Sequence, residues 1–271
     1  MTLKGTPLDE AVEAAGRTGF DGFGFWVKDL RPYAESEGSL VQLKDKLASL
    51  SLDPCELLAV RKWHEFPLSR FGPAQEGARR VFELASAIGS KVVTSPASAS
   101  PHSIDELPAA LSRICDIATS YDITIAFEFI AGRPISNLQS AIRVVRAAKK
   151  ENAGILLDVF HLHKSGSPVG GVLQLDPAEV AIVHMNDVID RPREMLRDKD
   201  RLYPGDGVAE ITSLVQALHE IGYTGYFSVE IFNDLYWSMD PYIVAKEALD
   251  KTRAALQLDE DSLIQPSSRT S

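Results

Sequence analysis

Apolar residues recur along the chain at two alternating periods. Leu8, Val12 and Ala15 fall at helical spacing after Pro7, and Gly16 and Gly19 punctuate the end of that segment. The run Gly22-Phe23-Gly24-Phe25-Trp26 then reads as a strand. The spacing predicts further helices over about 39–50, 74–88, 105–120 and 136–149, a short one near 172–176, and two more over 208–221 and 241–256. Between them lie compact apolar runs at 55–60, 91–94, 123–129, 154–158, 180–184 and 226–230. Short, nearly continuous apolar strands alternating with amphipathic helices describe a parallel sheet covered by helices. The pattern gives seven strands and eight helices, one strand short of a (β/α)8 barrel, with the first strand missing or reduced to a stub within residues 1–6. A doubly wound open sheet is the competitor, but Gly22-Phe23-Gly24 lacks the third glycine of a dinucleotide-binding turn. One α/β domain is expected over 1–257, followed by a polar, disordered tail over 258–271.

Composition narrows the function. At 271 residues and 29.6 kDa, with 45% hydrophobic and 24% charged residues, the chain suits one barrel and excludes a mainly disordered protein. No run approaches the ~20 apolar residues of a membrane span, and the first residues lack a signal-peptide core, so a soluble cytoplasmic protein is expected. A net charge of −10 opposes nucleic-acid binding. Cys55 and Cys115 sit in apolar stretches without C-x-x-C spacing and read as buried free thiols. Whether the chain forms a homo-oligomer stays open.

The informative charges are those that interrupt strands. Glu128, Asp158, His184 and Glu230 each end an apolar run, at separations of 30, 26 and 46 residues, about one strand-helix unit apart. In a barrel these four ends converge at one mouth, where chemistry is housed and a charge without a partner is costly. Three carboxylates and an imidazole suit one divalent ion, Mn²⁺, Co²⁺, Zn²⁺ or Mg²⁺. Each residue could instead be an isolated polar group hydrogen-bonded to a neighbour; four on consecutive strands favour the metal. His161 and His163 follow Asp158 and could donate to a substrate oxygen, and Arg201 could bind substrate hydroxyls. Trp26, Trp63, His64, Phe66 and Trp237 lie at or after strand ends, where aromatic faces could wall a sugar-sized pocket; core packing explains them equally well. Tyr203-Pro204-Gly205-Asp206-Gly207 is a turn into a helix and needs no ligand to account for it.

These residues resemble the xylose-isomerase-like superfamily of TIM barrels. That family's metal ligands, Glu, Asp, His and Glu on successive strands, match Glu128, Asp158, His184 and Glu230. Within it, the segments Phe127-Glu128-Phe129, Leu157-Asp158-Val159-Phe160-His161-Leu162-His163 and the run from His184 through Gly207 to Phe232 are similar to those of inosose isomerases. The ketose 3-epimerases of the superfamily carry a second glutamate where this chain has Ala131-Gly132-Arg133-Pro134, which argues against an epimerase of free ketohexoses. The resemblance implies a small-molecule sugar or cyclitol substrate and proton transfer next to a carbonyl through an enediolate. On the reading of the strand ends, Glu128 and Glu230 are expected to be the acid/base pair, and His161, His163, Arg201 and Trp63 to bind substrate. A 3-dehydroshikimate dehydratase-like lyase and a non-catalytic sugar-binding barrel are the alternatives. An apurinic-site nuclease would call for more metal ligands and a basic face than six histidines and a charge of −10 provide.

Overall fold

A computed structural model describes residues 2–36 and 39–256. Nine strands occur among them: β1 (Gly22–Trp26), β2 (Asp53–Leu58), β3 (Val92–Pro96), β4 (Thr124–Glu128), β5 (Ala153–Asp158), β6 (Val180–Met185), β7 (Asp187–Val188), β8 (Arg201–Leu202) and β9 (Phe227–Val229). The helices are α1 (Leu8–Thr18), α2 (Val27–Glu35), α3 (Ser39–Ser49), α4 (Gly72–Ile88), α5 (Leu107–Thr119), α6 (Leu138–Ala148), α7 (Val159–Ser165), α8 (Ile211–Glu220), α9 (Asp234–Trp237) and α10 (Pro241–Ala255). Strands β1 to β6 and β9 form one parallel sheet in the order β1-β2-β3-β4-β5-β6-β9, while β7 and β8 make a small antiparallel pair. The seven expected strands therefore form the barrel wall. The short helix expected near 172–176 is instead a 3-10 turn over Val169–Gln174.

The strands are apolar throughout because both faces are covered. Every residue of β5 is buried, and Phe25, Leu57, Val93, Ile125, Phe127, Ile155 and Val183 are fully inaccessible. α6 begins with a reciprocal cap, Asn137 accepting from the Ser140 backbone and Ser140 accepting from the Asn137 backbone. α2 escaped the sequence pattern because Pro32 lies inside it and Leu30 is its one buried residue.

The sheet is open between β1 and β9. Among the described residues no strand precedes α1; Thr2 reaches the upper edge, its hydroxyl donating to Val229 O and accepting from Ile231 N. A cavity of about 600 Å³ lies in this seam, lined by Phe20, Phe23, Leu58, Val229, Ala248 and Leu256 among others. Two side-chain hydrogen bonds cross it: Tyr226 Oη donates to Asp53, and Ser228 Oγ to Glu56. The expected tail over 258–271 lies outside the described residues. No helix among the described residues is long and apolar enough to cross a membrane.

Candidate functional site

Glu128 and Asp158 are the last residues of β4 and β5, His184 is the penultimate residue of β6, and Glu230 follows β9 directly. Parallel pairing sets Asp158 opposite His184 and Met185 opposite Val229, so the four side chains rise from neighbouring strand ends. All four are buried. Their ligand atoms form two overlapping groups, Glu128-Asp158-His161 and Asp158-His184-Glu230, each within 4.8 Å. His161 thus stands among the metal-capable residues.

Asp158 is the hub. It caps α7 by accepting from His161 N at 3.2 Å, and it also accepts from Asn186 Nδ2 at 3.3 Å and from Arg201 Nη1 at 2.7 Å. Arg201 Nη1 further donates to the Glu230 side chain at 3.3 Å and its backbone oxygen at 3.2 Å. The guanidinium lies between the Phe160 and Phe232 rings, 4.7 and 5.0 Å from their centroids. His184 Nδ1 faces Glu230 at 3.3 Å and Asp158 at 3.9 Å, while its Nε2 meets Glu56 at 2.9 Å. His161 accepts from Ala131 N through Nδ1 at 3.4 Å, which leaves the proton on Nε2, 3.7 Å from Glu128.

Burial and these charges split the acids. Burial, reinforced by Asp158 and Glu230, pushes Glu128 up to about 8. Burial acts the same way on Glu230, but His184 and Arg201 overcome it and hold that carboxyl well below the ordinary range. Asp158 also ends below its usual value, burial being outweighed chiefly by the Arg201 guanidinium. Burial lowers His161 to about 4, so it is neutral; for His184 the carboxylates of Glu56 and Glu230 outweigh burial and raise it well above normal.

On this structure's own chemistry the donors fit a divalent cation. His184 Nδ1 is buried without a hydrogen-bond partner and faces two carboxylates, and oxygen and imidazole donors without thiolate suit such an ion. Glu128, Asp158, His184 and Glu230 could hold it.

The other expected residues separate. Trp63 is fully buried, donates from Nε1 to Ser95 Oγ at 2.8 Å and stacks on His64. His163 lies on the other side of α7 from His161, in a shallow cleft with Arg193 and Glu210, away from the carboxylates. The turn 203–207 is organised by Asp187, which accepts from Gly205, Gly207, Val188 and Ala209 backbone groups. A Cβ at Gly207 would lie 2.1 Å from Val188 O, so the close approach requires glycine. Glu56, inside β2 and 1% exposed, is the member the sequence reading passed over. Its signal, a charge within an apolar run, is the one that marked the other four.

The model of the xylose isomerase-like TIM barrel family matches residues 12–257. The chain belongs to this family. Among its relatives, the inosose isomerase of Bacillus velezensis is 26% identical over 264 residues, covering 94% of both chains. A 3-dehydroshikimate dehydratase of Pseudomonas aeruginosa is 28% identical over 268 residues, 96% of this chain but 41% of that longer protein. The crystal structure of the IOLI protein with a bound zinc atom superposes with a TM-score of 0.87 at 24% identity, over 94% of this chain and 95% of that one.

Proposed function

We propose that this xylose isomerase-like barrel is a divalent-metal-dependent isomerase of a sugar or keto-polyol, with an inosose such as 2-keto-myo-inositol as the favoured substrate. The observation that carries the reading is the buried convergence of Glu128, Asp158, His184 and Glu230 at the strand ends. Two-ended coverage of a relative named inosose isomerase supports the substrate class. A bound divalent ion supplies Lewis-acid stabilisation for negative charge developing on a ketone oxygen and the neighbouring hydroxyl. The chain's own groups divide the remaining work. Glu230, held ionised by His184 and Arg201, takes the proton from the carbon next to the carbonyl. Glu128, whose own proton a bound cation displaces, takes the proton of the neighbouring hydroxyl and returns it to the former carbonyl carbon, while Glu230 passes its proton to the former carbonyl oxygen, so the two carboxylates act in turn as base and acid. His161 Nε2–H hydrogen-bonds the reacting oxygen, its tautomer set by Ala131 N. Arg201, pinned by Asp158 and stacked between two rings, keeps Glu230 aimed. The proposed site sits in a cytoplasmic protein of residues 1–257 as one domain, with no role for nucleic acid or a membrane.

The test is deuterium uptake from D2O into 2-keto-myo-inositol, followed by NMR with protein loaded in turn with Mn²⁺, Co²⁺ and Zn²⁺. Metal-dependent exchange with appearance of a second ketone is expected. Absence of exchange with every metal overturns the isomerase reading. A dehydratase acting on 3-dehydroshikimate is the second reading, favoured by coverage of 96% of this chain by such a relative; loss of water from the product mass identifies it.

A further inference from the structure

We infer that Glu56 is a positioning residue that fixes His184 in the tautomer able to ligate a metal, an inference that rests on the metal-centre reading above. The two residues are 128 apart in sequence and sit on β2 and β6, which are not neighbours in the sheet, so their contact crosses the barrel interior. Glu56 Oε2 lies 2.9 Å from His184 Nε2, and a carboxylate oxygen in that place accepts from the ring N–H. In the neutral imidazole the proton then stays on Nε2, and the lone pair is left on Nδ1. That nitrogen is buried without a hydrogen-bond partner and faces Asp158 and Glu230.

The need for such a device follows from what stands in front of the ring. Glu230 at 3.3 Å and Asp158 at 3.9 Å would themselves attract a proton onto Nδ1. Without Glu56 the neutral ring would favour the tautomer whose lone pair points away from the other ligands. Glu56 counters this from behind, as carboxylates behind metal-bound histidines do in general. It is held in turn by Ser228 Oγ, which donates to Oε1 at 2.6 Å. Room for it comes from β1: a Cβ on Gly24 would lie 2.8 Å from Glu56 Oε1, so a side chain there would push the carboxylate aside.

The test is metal affinity and ring chemistry, independent of turnover. Cobalt binding is titrated by its visible absorption, with zinc measured by competition against a chelator, for wild type, Glu56→Ala, Glu56→Gln and Ser228→Ala, each checked for native circular dichroism. Glu56→Ala should lose about 10–100-fold in affinity. Glu56→Gln keeps an acceptor oxygen and should lose less than about tenfold. Ser228→Ala removes the bond across the seam but leaves the Glu56–His184 contact, and should stay within about threefold. Side-chain ¹⁵N–¹H spectra of zinc-loaded wild type should show Nε2 protonated and Nδ1 bound. A Glu56→Ala protein that binds metal as wild type does, or a zinc-bound Nε2, overturns the inference while the metal reading stands. Wild type that binds no cobalt overturns both.

Discussion

Replacing Asp158 by asparagine isolates the charge at the centre of the cluster. The substitution preserves volume, and an amide oxygen can still accept from His161 N and cap α7. What disappears is the closest partner of a buried guanidinium: Asp158 and Arg201 side chains are 0% and 2% exposed and 2.7 Å apart. Removing one member of a buried pair costs about 3–5 kcal/mol, because the other charge stays behind in a dry site. Arg201 keeps Glu230, at 3.3 Å to its carboxylate and 3.2 Å to its backbone oxygen, which places the expected loss near the lower end. For a protein of this size each kcal/mol moves Tm by roughly 2–4 °C, so metal-free Asp158→Asn should melt roughly 6–12 °C below wild type. Thermal unfolding in chelator measures this. A cycle with Arg201→Met separates the pair from the cap, since the double variant should be more stable than the sum of the single losses predicts. A drop smaller than about 2 °C, or strict additivity, would refute the claim that this ion pair organises the site.

Metal loading should release protons, because Glu128, pushed up to about 8, and His184, raised well above its usual value, hold protons that a divalent ion expels. Affinity should therefore rise with pH through about 8; equal binding enthalpies in buffers of different ionisation heat at pH 7 would contradict this. The raised Glu128 carboxyl adds stability at low pH that fades as pH climbs from about 4.5 to about 8, so its contribution to metal-free Tm should fall over that window, and Glu128→Gln should flatten the curve. Glu230→Gln, assayed at saturating metal, should lower kcat by about 10²–10⁴-fold with little change in KM; wild-type kcat would remove Glu230 from the base role. Burial raises Cys115 to about 12 and Cys55 well above normal, so iodoacetamide at pH 8 should leave both unmodified in the native protein and alkylate both after denaturation, as mass spectrometry reads.

The barrel was legible because its strands are nearly pure apolar runs, and a charge inside one has few explanations. Glu128, Asp158, His184 and Glu230 stood out for that reason, and the structure places them at one end of the sheet. Glu56 carries the same signal, but its run served only to locate β2, and a partner 128 residues away leaves no local trace. Arg201 reads, in its polar stretch, as a binder of substrate hydroxyls, with no sign there of its protein partners. Its burial follows from Asp158 and Glu230, 43 and 29 residues distant, and from two aromatic rings that only the fold brings together. Trp63 shows the reverse limit. A tryptophan after a strand suits a pocket wall or the core, and the fold buries it fully with its indole N–H on the hydroxyl of Ser95, 32 residues on. His161 and His163 differ in sequence by two positions, yet the turn of α7 sends one to the carboxylates and the other to a separate cleft.

The open seam between β1 and β9 bears on the site through one route. Glu128, Asp158, His184 and Glu230 rest on β4, β5, β6 and β9, a run in which each strand pairs with the next, so their spacing does not depend on closure of the sheet. Glu56 is different. It comes from β2, beyond the seam, and reaches both Ser228 on β9 and His184 on β6. Any shift of the β1–β2 edge relative to β9 is therefore transmitted to the imidazole before it reaches the carboxylates. Loosening the seam elsewhere, as by Tyr226→Phe, which deletes the bond to Asp53 at the start of β2, should weaken metal binding slightly, within the roughly threefold expected of Ser228→Ala, while leaving the Asp158–Arg201 pair intact. If the affinity of Tyr226→Phe instead matches wild type while its Tm falls, the seam and the site are mechanically independent, and Glu56 acts on His184 from a fixed β2.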